Sequence, residues 1–283
     1  MLFRSLLLAG FAAAAFAAPA HAHRAWLLPS TASLSGTGQV VSVDAAVSND
    51  LFHPDHVALN TDQITVNAPD GSDGLVENAA KGRHRSTFEV KIDKPGTWRI
   101  GTQRTAYAGS FKLNGEEWRV GGRPPRPVAP GAAPAPVRRV AGLADIPAEA
   151  TDIKLAEVIA TNAIFVTADA PTKTVFVTGK GLEFDPVTHP SALVSDEEAR
   201  FRFLVDGRPA AGVKVNVVPG AKKFREAEMA QELVTDAQGV LTVKWPVAGV
   251  YWLNAATADA RPDERRASER RMSFTTTLEV LAP

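Results

Sequence analysis

Hydrophobic and polar positions alternate along most of this chain. Val41, Val43, Ala45 and Val47 share one side of a period-two pattern. Phe88, Val90 and Ile92 repeat it, and Trp98 and Ile100 continue after the Lys94-Pro95-Gly96 turn. The C-terminal half keeps the rhythm in Phe201, Phe203 and Val205, in Val213, Val215 and Val217, in Leu241, Val243 and Trp245, and in Phe274, Thr276, Leu278 and Val280. Successive side chains of a strand point to opposite faces, so each run predicts a strand with one buried face. Asp206-Gly207 and Asp236-Ala237-Gln238-Gly239 supply the turns between them. Many short strands at regular spacing predict an all-β chain built as antiparallel β-sandwiches, Ig-like or transthyretin-like.

The alternation stops between Gly121 and Pro136, which holds six of the chain's 20 prolines. Repeated proline removes amide donors and fixes φ, so this stretch cannot sit inside a sheet. It predicts a Pro/Ala-rich linker over residues 121–149, between a sandwich of residues 23–120 and a second of residues 150–283. Helix is scarce. The best short candidates are Asp196–Arg200, Phe224–Glu232 and Asp263–Arg271, the last charged enough to read as a solvated loop or edge.

The first 22 residues have a different grammar. Arg4 precedes an apolar run from Leu6 to Ala17, and Ala18-Pro19-Ala20-His21-Ala22 follows. This is the charged, apolar, small-residue order of a cleavable export signal, with an apolar run shorter than the roughly 20 residues of a membrane span. Cleavage after Ala22 makes His23 the first residue, so that its α-amine and imidazole together chelate a metal. Cleavage after Ala20 leaves His21-Ala22-His23, a histidine-third arrangement that wraps square-planar Cu(II) or Ni(II). Both sites satisfy the signal pattern. Either implies an exported mature protein.

Composition narrows the chemistry. Removal of residues 1–22 leaves 261 residues, and the loss of Arg4 brings a balanced chain to a formal charge of −1. No basic bias points to nucleic acid. The absence of cysteine excludes disulfides, thiolate metal sites and cysteine nucleophiles. Any metal must be held by histidine, carboxylate, amine or backbone. Asp50-Leu51-Phe52-His53-Pro54-Asp55-His56 supplies two histidines three apart after a strand, with Asp50 and Asp55 as ligands or orienters. His84 sits among Lys81, Arg83 and Arg85, which disfavour a cation. His189 precedes Pro190 and reads as a turn cap, with Glu183 and Asp185 leaving a secondary metal site open. Trp98, Trp118, Trp245 and Trp252 fall in strand patterns and read as core. Trp26 is placed to pack the new N-terminus onto the sandwich. The nucleophile-elbow, H-E-x-x-H and phosphate-loop motifs are absent, so no enzyme class is indicated.

Several stretches taken together carry a resemblance: His21–Pro29, Val43–Asp50, Pro186–Pro190, Phe201–Val213, Thr235–Gly239 and Gly249–Trp252. Over most of its mature length the chain resembles periplasmic NikM-like nickel/cobalt-transport components. Residues 198–255 are similar to transthyretin-like and carboxypeptidase-regulatory-like sandwiches. The resemblance implies an exported, non-catalytic protein that binds Ni(II) or Co(II), with Cu(II) as a competitor, and presents it to a metal-uptake transporter or outer-membrane receptor. His23, His53, His56, Asp50 and Asp55 are its candidate ligands. Two other readings stand beside it: an interaction module of the cell envelope that needs no metal, and a copper-dependent redox enzyme built on an N-terminal histidine.

Overall fold

The computed structural model describes residues 23–122, 138–173 and 177–283. The expected signal, residues 1–22, and the center of the expected linker lie outside these residues. Within them the chain is all-β, as the alternation predicts, with only short 3-10 turns between strands.

Three sheets make two stacked cores. The largest has ten strands and runs through Glu116–Val120, Gly96–Leu113, Thr151–Ala168, Ala267–Val280, Gly249–Asp259, Lys214–Pro219 and Gln231–Val234. A five-stranded sheet of Arg24–Pro29, Gln39–Ser48, Ser86–Ile92, Glu77–Lys81 and Val57–Ala58 covers part of one face. Between them lie Val41, Val43, Phe88, Val90 and Ile92 from the smaller sheet, and Trp98, Ile100, Ile164 and Val166 from the larger. A four-stranded sheet, centered on Glu198–Val205, covers the opposite face. There Phe184, Phe201, Phe203 and Trp245 meet Ile159, Phe165, Leu253 and Phe274.

Thr151–Ala168 therefore serves both cores. Ile164 and Val166 face one, and Ala163 and Phe165 face the other. A strand buried on both faces reads as a continuous apolar run, and Ala163-Ile164-Phe165-Val166 is such a run. It pairs antiparallel with Gly96–Leu113 from Lys154↔Ser110 to Ala168↔Gly96. The strands that directly flank the Pro-rich stretch, Glu116–Val120 and Arg139–Val140, also pair with each other, in parallel. The other neighbor of Thr151–Ala168, Ala267–Val280, runs parallel to it. The sheet is mixed where an antiparallel one was expected. Parallel neighbors need a long connection, and here the whole four-stranded sheet lies between the two strands in sequence.

The helix candidates resolve differently. Glu198–Val205 is already a strand, Lys222–Phe224 is a single 3-10 turn followed by the strand Gln231–Val234, and Ala267 begins the final strand, Ala267–Val280. Alternation won over charge in that last segment: Arg270 points inward and is buried.

The N-terminal strand Arg24–Pro29 is tied to the C-terminal half. Trp26 is fully buried in a small cluster with Ala46, Leu51, Val218 and Trp252. The indole N–H of Trp252 donates to the Ala25 carbonyl at 3.0 Å. Arg24 stacks over the Trp252 ring, 5.4 Å from its center, and pairs with Glu228 at 2.7 Å. Trp26 does what the sequence suggested: it fixes the segment that begins at His23.

Candidate functional site

His23 stands at the start of this anchored strand. Its ring stacks on that of His56, with centroids 3.9 Å apart and planes inclined by 20°. The two residues come from separate segments that are joined by the pairing of Arg24–Pro29 with Gln39–Ser48. The loop between Ser48 and Val57 then folds back over its own strand. Its base is fixed by a buried relay: Trp26 Nε1 donates to Ser48 Oγ at 2.7 Å, and Ser48 Oγ donates to the Asp50 carbonyl at 2.6 Å. Its far end returns through Val57–Ala58, which pairs with Val47 and Ala46.

Inside this loop the expected ligands part company. Asp55 accepts hydrogen bonds from the backbone N–H of Asn49 at 2.9 Å and from its side-chain amide at 3.2 Å. Desolvation raises the Asp55 carboxyl, but the hydrogen bonds from Asn49 outweigh it and leave the pKa below the usual carboxylate value. Asp55 therefore orients the loop. Asp50 and His53 line a cavity whose walls include neither His23 nor His56. The H-x-x-H spacing thus sends its two rings to different neighbors. Among the described residues no group of three or more His, Asp or Glu side chains is placed to hold a metal ion.

His84, disfavored as a ligand by its cationic neighbors, nonetheless joins this neighborhood. Its Nδ1 lies 3.1 Å from the His56 carbonyl oxygen. A carbonyl only accepts, so Nδ1 donates in this contact and Nε2 is the nitrogen left to face other partners. Ligating histidines are commonly held by such a bond. One of its cationic neighbors is also neutralized, because Arg85 pairs with Asp44 at 2.9 Å. His84 and His56 are 28 residues apart. They meet only because Ser86 opposes Ala45, and Ser86 Oγ donates to the Leu59 carbonyl at 2.6 Å.

His189 is structural. It caps the 3-10 turn Pro190–Ala192, and its Nδ1 accepts from the Ser191 N–H at 3.1 Å. Its Nε2 lies 3.0 Å from Thr97 Oγ1 and 3.2 Å from the Thr172 carbonyl. Burial lowers its pKa. The nearby carboxylates are engaged elsewhere. Glu183 is buried and accepts from the backbone N–H groups of Thr178, Gly179 and Gly207 at 2.6, 2.5 and 2.7 Å. Asp185 accepts from Arg202 Nε at 2.8 Å. The secondary metal site left open at His189 is not formed: one ring nitrogen is spent on a cap, and neither carboxylate is spare.

A family model described as "Domain of unknown function (DUF4198)" matches residues 20–259. No curated protein matches the chain. Among solved structures the chain is similar to the D0–D1 domain of intimin, at 12% identity and a TM-score of 0.23, over 89% of this chain and 97% of that one. It is also similar to native E. coli alpha-2-macroglobulin, at 12% identity and a TM-score of 0.21, over 92% of this chain but 14% of that one.

Proposed function

We propose that this chain, which belongs to the DUF4198 family of domains of unknown function, is an exported carrier of a divalent transition-metal ion. The role is NikM-like: it holds Ni(II) or Co(II) in the periplasm for an uptake system and catalyzes no reaction. The observation that supports this reading is the 3.9 Å stacking of His23 on His56 at the end of an anchored strand.

Cleavage after Ala22 would turn the His23 amide nitrogen into an amine. That adds a third nitrogen donor, one that a count of side chains misses. Amine and imidazole of His23 close one chelate ring, and His56 supplies the next nitrogen once the stacked rings turn edge-on to a common ion. An all-nitrogen set suits late first-row metals, in the order Co(II) < Ni(II) < Cu(II). The site would therefore take copper most tightly, and metal supply would set the cargo.

The test compares tag-free protein beginning at His23 with protein that retains Ala22. Calorimetric titration with Ni(II), Co(II) and Cu(II) should give one equivalent bound to the first. Retaining Ala22, or replacing His56→Ala, should weaken binding at least tenfold. Absence of binding to the processed form, or equal affinity with Ala22 in place, would sink the carrier reading.

A further inference from the structure

The cavity that takes Asp50 and His53 away from the other histidines has its own chemistry. It encloses about 310 Å³ where the 50–53 loop meets the segments 219–225 and 247–250. That volume lies within the range of small-molecule sites. Its walls are largely apolar, with Phe52, Val250 and Phe224 among them. Phe224 is 78% exposed, an unusual state for phenylalanine and one that a bound ligand would relieve.

Two wall residues hold backbone conformations that L-residues rarely take. Phe52 and Ala221 both have φ of 61°. Such strain persists only where the surroundings enforce it, and it clusters at ligand sites. Here Gly220 helps enforce it: a Cβ on Gly220 would lie 2.6 Å from the Phe52 ring. The phenyl ring fits its place only because that side chain is missing.

The charges are divided between the walls. Asp50 and His53 come from the N-terminal half, Lys223 and Arg225 from the C-terminal half. Arg225 donates from Nη2 to the Pro219 carbonyl at 3.0 Å, while its Nε is buried and has no hydrogen-bond partner among the described residues. Lys223 lies 5.1 Å from the center of the Phe224 ring. A simple carboxylic acid would satisfy the cations but leave Asp50 facing it. A simple amine would do the reverse.

We propose that this cavity binds a free α-amino acid with an apolar side chain. Its carboxylate pairs with Arg225 and Lys223, its ammonium with Asp50, and its side chain packs against Phe52, Phe224 and Val250. The proposal is independent of the metal reading and is tested with chelator present, so that failure of one does not touch the other.

The experiment is titration of the full mature chain with phenylalanine and leucine, beside phenethylamine and 3-phenylpropionate. The expected result is saturable binding of both amino acids, with each single-charge analogue at least tenfold weaker. Arg225→Gln and Asp50→Asn should each weaken phenylalanine at least tenfold, with unchanged circular dichroism. Lys223→Gln, at an exposed position, should weaken it severalfold and guards against a folding artefact in the Arg225 variant. No binding of either amino acid at millimolar concentration overturns the proposal. So does equal binding of 3-phenylpropionate, or an affinity indifferent to both Arg225→Gln and Lys223→Gln.

Discussion

Arg270 illustrates how one side chain can hold two sheets in place. Its guanidinium is almost completely buried and reaches Asp206 and Asp259, each at 2.7 Å from Nη2. Asp206 sits in the turn after Glu198–Val205, and Asp259 ends Gly249–Asp259, so the ion triad pins the four-stranded sheet to the large one. Removing one partner of a buried pair strands the others. Arg270→Met should cost roughly 3 kcal/mol, the low end of the usual range because Asp206 keeps solvent contact. The same triad sets an acid dependence. Desolvation raises the Asp206 carboxyl but the Arg270 bonds outweigh it, and the Arg270 hydrogen bond is the main cause of the lowered Asp259 pKa. Both folded pKa values are depressed, so this stability is complete above the unfolded value of about 4 and is lost as pH falls below it. Melting temperature should therefore drop more steeply below about pH 4 in the natural chain than in Arg270→Met. His189 acts higher on the pH scale. Its pKa is also depressed, by burial, so its contribution is present above about pH 6.5 and is lost on acidification. His189→Asn keeps a capping oxygen without a titrating ring. It should flatten the dependence of melting temperature on pH below about pH 6.5.

Among the strands, Arg24–Pro29 and Gly96–Leu113 carry the most consequence. Trp26→Ala should cost about 3–5 kcal/mol, the usual range for emptying a buried aromatic site. It should also loosen the His23–His56 stack, read as a gain in amide exchange at residues 24–28. In Gly96–Leu113, Gly101 lies where neighboring backbone comes close: a Cβ there would be 2.4 Å from the Asn162 carbonyl oxygen and 2.6 Å from the Ala163 Cα. Neither atom can rotate away. Gly101→Ala should destabilize by about 2–3 kcal/mol through overpacking, measurable by urea unfolding. These elements also mark what the sequence discloses. Period-two alternation revealed Gln39–Ser48, Ser86–Ile92 and Glu198–Val205, because each has one wet and one dry face. The partnership of Thr151–Ala168 with Ala267–Val280 was invisible, since paired residues such as Leu155 and Ala267 are more than a hundred positions apart and alternation carries no record of neighbors. The same limit applies to the site. His23 and His56 were legible as residue types in the right loops. His84 was set aside for its cationic neighbors and Arg225 was not singled out, because what distinguishes them is a carbonyl and a cavity supplied by remote segments.

At the scale of the molecule, the two cores are not separable. The core under the N-terminal sheet takes Ile164, Val166 and Ala168 from a strand that follows the Pro-rich stretch. Residues 23–122 expressed alone would lack that wall. They should give a poorly dispersed amide spectrum, whereas residues 23–283 should unfold in a single calorimetric transition. Two resolved transitions in the full chain would contradict this. The clamp on Arg24–Pro29 adds a matter of timing. Ribosomes deliver the N-terminus first, at about 5–20 residues per second. Yet Arg24, Ala25 and Trp26 find their partners at Val218, Glu228 and Trp252. The first of the described strands to be made is thus among the last to settle. Until the final strands arrive, Arg24–Pro29 lacks the partners that hold it in the folded chain. Once Trp252 closes over Ala25, His23 lies three residues from the buried Trp26 indole. Under the processing proposed above, any cleavage before His23 would have to precede this closure, so synthesis order would set its deadline.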